Sequence, residues 1–183
     1  MSLTQTFAGH TGRYSQIAIA LHWLLALLLP VQVALGWYML SIEDKPGSSW
    51  YFALHVSLGL TLVALVALRV AWRLGHVPPT LPDSVARWEV KSARASHLLL
   101  YLMMVLLPVT GYLGASVSGD PVSYFGLPLP SWSARIDSLK ELFFGAHSVL
   151  AWTLVVLVAV HVLGAVKHLV KGKDGVFWRM WLR

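Results

Sequence analysis

The chain has 183 residues, of which 57% are apolar and only 12% charged, against about 25% charged in soluble domains, so an ordinary water-soluble globule is excluded. Its 14 Lys and Arg outnumber 8 Asp and Glu, giving a formal charge of +6. These cations cluster between long uncharged stretches, unlike a nucleic-acid-binding face, so nucleic acid is not an expected partner.

Runs free of Asp, Glu, Lys and Arg predict spans at approximately 15–41, 48–72, 95–117 and 142–170. About 20 apolar residues cross a bilayer as a helix, and lipid offers no partner to exposed backbone. The alternation of a membrane barrel is absent. The expected fold is therefore all-α, an integral membrane four-helix bundle in one domain over 1–183, in contact with lipid. The first run is too long for a signal-peptide core and lacks a small-x-small cleavage site, so it reads as a retained anchor. Pro30 and Pro108 are expected to kink the first and third spans. The outer loop, 118–141, contains Pro121, Gly126, Pro128 and Pro130 and cannot be a regular helix. Tyr124, Phe125, Leu127, Leu129 and Trp132 keep it apolar, suited to the outer bilayer surface or to covering the bundle end.

Orientation follows from the cations. Arg13, Arg69, Arg73, Arg87, Lys91, Arg94, Lys167, Lys171, Lys173, Arg179 and Arg183 fall on one side, and only Lys45, Arg135 and Lys140 on the other. The positive-inside rule then predicts both termini cytoplasmic. Trp37, Trp50, Trp72, Trp132 and Trp178 sit near run ends, as interfacial aromatics do. With no organelle signal, the expected location is a bacterial inner membrane, multi-pass.

Without cysteine, disulfides, iron–sulfur ligation and covalent c-type haem attachment are excluded, which turns attention to eight histidines. His22 lies in the inner half of span one and His55 in the outer half of span two. In span four, His147 and His161 are 14 residues apart, or about 21 Å along the axis with about 40° of offset, so both project from nearly one face. By depth, His147 matches His55 and His161 matches His22. Two such levels are what two stacked bis-histidine haems require, whereas zinc prefers a tetrahedral set that neither level offers. Any one histidine alone reads as well as a hydrogen-bonded interhelical residue; four in depth-matched pairs favour haem.

Gly59 and Gly164, each about one turn from a histidine, would let a flat ring approach the backbone, while Gly36, Gly111, Gly114 and Gly145 also read as close helix contacts. Arg69, Arg73 and Arg94 inside, and Arg135 and Lys140 outside, are candidate partners of haem propionates, with snorkelling or topology signalling as the alternative. His97 and His168 read as lining a quinone site, as propionate donors or as interfacial histidines; His10 and His76 read as solvated.

The segments R-Y-S-Q-I-A-I-A-L-H-W (13–23), A-L-H-V-S-L-G-L around His55, R-A-S-H-L-L-L-Y (94–101), L-P-V-T-G-Y (107–112), V-S-Y-F-G-L (122–127), K-E-L-F-F-G-A-H (140–147) and V-H-V-L-G-A-V-K-H (160–168) together resemble the prokaryotic cytochrome b561 family over nearly the whole chain. The resemblance implies a membrane cytochrome with two non-covalent b haems (iron), related to cytochrome subunits of hydrogenases and formate dehydrogenases. By family position, His22 and His161 would hold the cytoplasmic-side haem and His55 and His147 the periplasmic-side one. It implies electron transfer with ubiquinone or menaquinone, with superoxide as a donor to stand-alone members and a dehydrogenase as a partner of subunit members. Against superoxide, Glu43, Asp44, Asp120, Asp137 and Glu141 outnumber the outer cations. Three readings follow: a transmembrane oxidoreductase or electron carrier, an anchor and conduit for a redox partner protein, and a haem-free transporter or scaffold.

Overall fold

A computed structural model describes residues 12–131, 135–172 and 174–182; the expectations for His10, Trp132, Lys173 and Arg183 fall outside them. Four helices dominate: α1 Gln16–Ser41, α2 Ser48–Gly75, α3 Arg87–Ser116 and α4 Asp137–Lys167. All four are long and apolar enough to cross a membrane. The rest is a short antiparallel hairpin, β1 Ser123–Tyr124 with β2 Leu127–Pro128, and a C-terminal segment.

Local chemistry sets the helix starts. The Ser15 hydroxyl oxygen accepts the Ala18 N–H at 3.3 Å and the Trp72 indole N–H at 2.9 Å, capping α1 and pinning it to the far end of α2. Glu89 accepts the Ala86 N–H at 3.2 Å at the start of α3. Pro30 and Pro108 both lie inside helices.

Consecutive helices pack on one another, while α4 makes few close backbone approaches to α1 or α2. The buried core is Leu25, Leu62 and Val66, flanked by Leu28, Leu29, Leu65, Val70, Tyr101 and Met104, all from α1, α2 and α3. Only Leu154 of α4 is buried. Leu27, Leu98, Val149 and Leu163 are each about two-thirds exposed, a surface suited to lipid rather than water.

The two ends differ. At the hairpin end, Phe125 and Gly126 both take positive φ, the left-handed pair that a tight two-residue turn needs. The hairpin docks on α2: the Ser57 hydroxyl accepts the Phe125 N–H at 2.9 Å, and Tyr124 shares a hydrogen bond with Thr61 at 3.2 Å. At the opposite, basic end, α4 runs into a wide turn over His168–Gly172, and the C-terminal segment folds back as a strap. His168 Nδ1 lies 2.7 Å from Asp174, the Trp23 indole donates to the Met180 carbonyl at 2.7 Å, and Arg13 donates to the Trp181 carbonyl at 2.6 Å. Lys167 pairs with Glu89 and lies over the Trp88 ring, joining α3 to α4.

Candidate cofactor site between the helices

Two pairs of imidazoles meet across the sparsely packed seam between α4 and the α1–α2 hairpin. Nearer the basic end, His22 of α1 faces His161 of α4 with ring centres 6.2 Å apart and planes at 69°. Nearer the hairpin end, His55 of α2 faces His147 of α4 at 6.1 Å and 74°. A ligating imidazole places its ring centre about 3 Å from a metal bound through a bond of about 2 Å, so two axial imidazoles on one metal have centres about 6 Å apart. Both levels have that separation.

The donor atoms also fit. His147 Nδ1 lies 2.8 Å from the Leu107 carbonyl, which can only accept, so Nδ1 carries the proton and Nε2 keeps the lone pair a metal needs. Thr110 Oγ1 stands 3.3 Å from the same nitrogen and donates back to the Leu106 and Leu107 carbonyls. On α2, Gln32 of α1 donates to the His55 carbonyl at 2.8 Å, and His55 Nδ1 is buried without a hydrogen-bond partner among the described residues. Among the described residues no group of three or more His, Cys, Asp or Glu is arranged to hold a metal ion, so the paired imidazoles suit a flat macrocycle rather than a tetrahedral ion.

The glycines that meet the imidazoles are not those nearest in sequence. A methyl group on Gly36 of α1 would lie 3.0 Å from His55 Cε1, and one on Gly111 of α3 would lie 3.1 Å from His147 Cε1. Gly59 instead lies against Gln32, and Gly164 faces open space. A histidine ring reaches away from its own helix, so the small residue that admits it belongs to the helix opposite. The sequence leaves Gly36 and Gly111 open between room for a cofactor and close helix contact, and it assigns no role to Gln32, Thr110 or the Leu107 carbonyl; the L-P-V-T-G motif is the available signal.

His97 lies with its ring centre 5.3 Å from that of His161, making three imidazoles at the basic-end level. His168 is not in this group; it belongs to the strap through Asp174. His76 stacks on Trp72 at 3.8 Å. Among the candidate cations, Arg69 donates to the Ala18 carbonyl at 2.7 Å and to Tyr101 at 3.1 Å, and acts electrostatically on His22, His97 and His161. Arg73 acts on His97, Arg94 is exposed, and Lys140 is half-buried in the first turn of α4. Arg135 is engaged in an exposed ion pair with Asp137 at 2.7 Å.

The profile described as prokaryotic cytochrome b561 matches residues 13–183. The chain belongs to this family. It is 34% identical to cytochrome b561 homolog 2 of Escherichia coli (strain K12) over 179 residues, 96% of this chain and 94% of the relative. It is 26% identical to the probable superoxide oxidase CybB of Yersinia pestis over 171 residues, 92% and 95% of the two chains. Cytochrome b561 homolog 1 of Escherichia coli (strain K12) is also 26% identical, over 94% of this chain and 98% of that one. As a cytochrome b561 with four membrane-capable helices, the protein is a multi-pass b-type haem protein of the bacterial inner membrane with a role in electron transfer.

Proposed function

We propose that the protein carries electrons across the membrane between a periplasmic donor and quinone, with two bis-histidine b haems in a single unit spanning 1–183. His22 and His161 would hold one haem and His55 and His147 the other. The observation that carries this reading is the pair of imidazole separations, 6.2 and 6.1 Å, at two levels of one seam. When bound, the haems supply the one-electron chemistry. The chain binds and orients: Leu107 and Thr110 fix the His147 tautomer, while Gly36 and Gly111 leave room for the hairpin-end imidazoles. Arg69, with Arg73 and Arg94, would supply charge for propionates at the basic end, and Arg135 and Lys140 at the other.

The clustering of eleven of the 14 Lys and Arg supports a cytoplasmic basic end with both termini inside. His97, beside His161, and His168, on the strap, would border the quinone there, ubiquinone or menaquinone. The likeness to a probable superoxide oxidase makes superoxide the first donor to test.

A second reading, in which a partner protein delivers the electrons, is favoured by the acidic surplus at the hairpin end. With Arg135 paired to Asp137, Lys45 and Lys140 stand against Glu43, Asp44, Asp120 and Glu141, a balance that repels an anion and attracts a cationic donor. The test is a reduced-minus-oxidised spectrum with haem extracted and quantified per chain, followed by reduction with superoxide. Two low-spin b haems are expected; one or none overturns the di-haem reading, and fast superoxide oxidation by the purified chain alone overturns the partner reading.

A further inference from the structure

A cavity of about 370 Å³ opens at the basic end between the start of α1, the last turns of α2 and Tyr101 of α3. Three guanidinium groups line it, Arg13, Arg69 and Arg73, and no Asp or Glu does. Their other hydrogen bonds leave that charge uncompensated. Arg69 donates to a carbonyl and a phenol, Arg13 to the Trp181 carbonyl, and Arg73 has no partner among the described residues. Of the acids toward this end, Glu89 pairs with Lys167 and Asp174 with His168. Arg13 Nε is also buried without an acceptor among the described residues, a donor whose desolvation nothing offsets. Three like charges facing one partly enclosed space repel one another unless an anion sits among them.

The surroundings define the anion further. Trp72 and Ser15 add polar groups at one wall, while Met180 of the strap supplies apolar surface. The cavity lies at the ends of the membrane-spanning helices, where lipid headgroups meet protein and where basic pockets between helices hold acidic ones. We infer that this cavity is a binding site for an oxyanion, either the phosphate of an anionic membrane lipid or a carboxylate of a macrocycle bound at the neighbouring His22–His161 level. The second source rests on the function proposed above; the first does not.

The test uses the full-length protein, with Arg73→Gln as the main variant because it removes no hydrogen bond of the fold, and Arg13→Gln as the second. Delipidated protein is mixed with phosphatidylglycerol or with phosphatidylcholine of the same chains, and lipid retention is followed by native mass spectrometry. Haem midpoint potentials are measured in parallel. A lipid phosphate predicts that the wild type retains phosphatidylglycerol over phosphatidylcholine and that Arg73→Gln weakens this about tenfold, as loss of one charge-assisted contact does. A cofactor carboxylate predicts no headgroup preference, with an altered pH dependence of one haem's potential in Arg73→Gln. No headgroup preference in the wild type and an unaltered pH dependence of the potentials in both variants would overturn the site. A preparation without haem would defeat the proposed function and leave the lipid measurement readable.

Discussion

The two imidazole levels use the same pair of side chains in different surroundings. At the hairpin end, His55 and His147 lie against glycines, the Leu107 carbonyl and Thr110 meet the His147 ring, and Gln32 holds the His55 backbone carbonyl. At the basic end, His22 and His161 share their space with His97 and lie in the field of Arg69. One level is shaped by small residues and neutral dipoles, the other by a fixed charge. A nearby cation favours the reduced form of an iron site, which carries one less positive charge, so under the proposed di-haem reading the basic-end level would have the higher potential and electrons would run downhill toward it.

The most drastic way to break the comparison is to remove one level. His147→Ala should halve haem per chain while the basic-end haem keeps its spectrum, and His22→Ala should do the reverse; an unchanged haem content in either would dissolve the pairing. His97→Ala should keep both haems, and loss of one would make His97 rather than His22 the partner of His161. A smaller effect is expected from crowding. Gly36→Leu and Gly111→Leu push a side chain into an imidazole already 3.0 to 3.1 Å from where a methyl would sit, so hairpin-end occupancy should fall severalfold. Gly164→Ala, facing open space, should leave both haems at full occupancy by pyridine haemochrome assay.

Arg69→Gln sharpens the comparison. Removing one charge close to an iron site, in a medium of effective dielectric about 20, shifts a one-electron couple by tens of millivolts. Redox titration should show the basic-end potential falling while the other holds; equal shifts would remove the electrostatic distinction. The smallest effect concerns the strap. Burial raises the Asp174 carboxyl pKa, but the Val176 N–H and His168 outweigh it and hold it below the ordinary carboxylate range. A depressed carboxyl stabilises the strap at neutral pH, and that contribution is lost as pH falls through its folded value. Limited proteolysis should therefore cut 176–182 faster in acid for the wild type, while Asp174→Asn should be cut at one rate across that range.

The spans were legible because apolar run length is nearly all a bilayer demands, as the helices Gln16–Ser41 and Ser48–Gly75 illustrate. The alignment of His147 with His161 was legible too, since 14 residues make nearly whole turns. Helix rotation was not. In water the apolar stripe tells which face is buried, but α4 is apolar all round, and lipid and neighbour look alike to it. For that reason the opposing Gly36 and Gly111, and the approach of His97 to His161, emerge only from packing. The strap escaped notice for another reason: its anchors, Met180 and Trp181, are held by backbone carbonyls that leave no trace in side-chain pattern.

Each imidazole pair has one member on α4 and the other on α1 or α2. A chain made from its N-terminus therefore threads His22 and His55 into the membrane long before either has a counterpart, and both imidazole pairs are completed together by α4. If those pairs hold haem as proposed, a ribosome that stalls before residue 147 would leave neither place half-working, and synthesis would have a single point at which an inert set of helices becomes able to capture a cofactor.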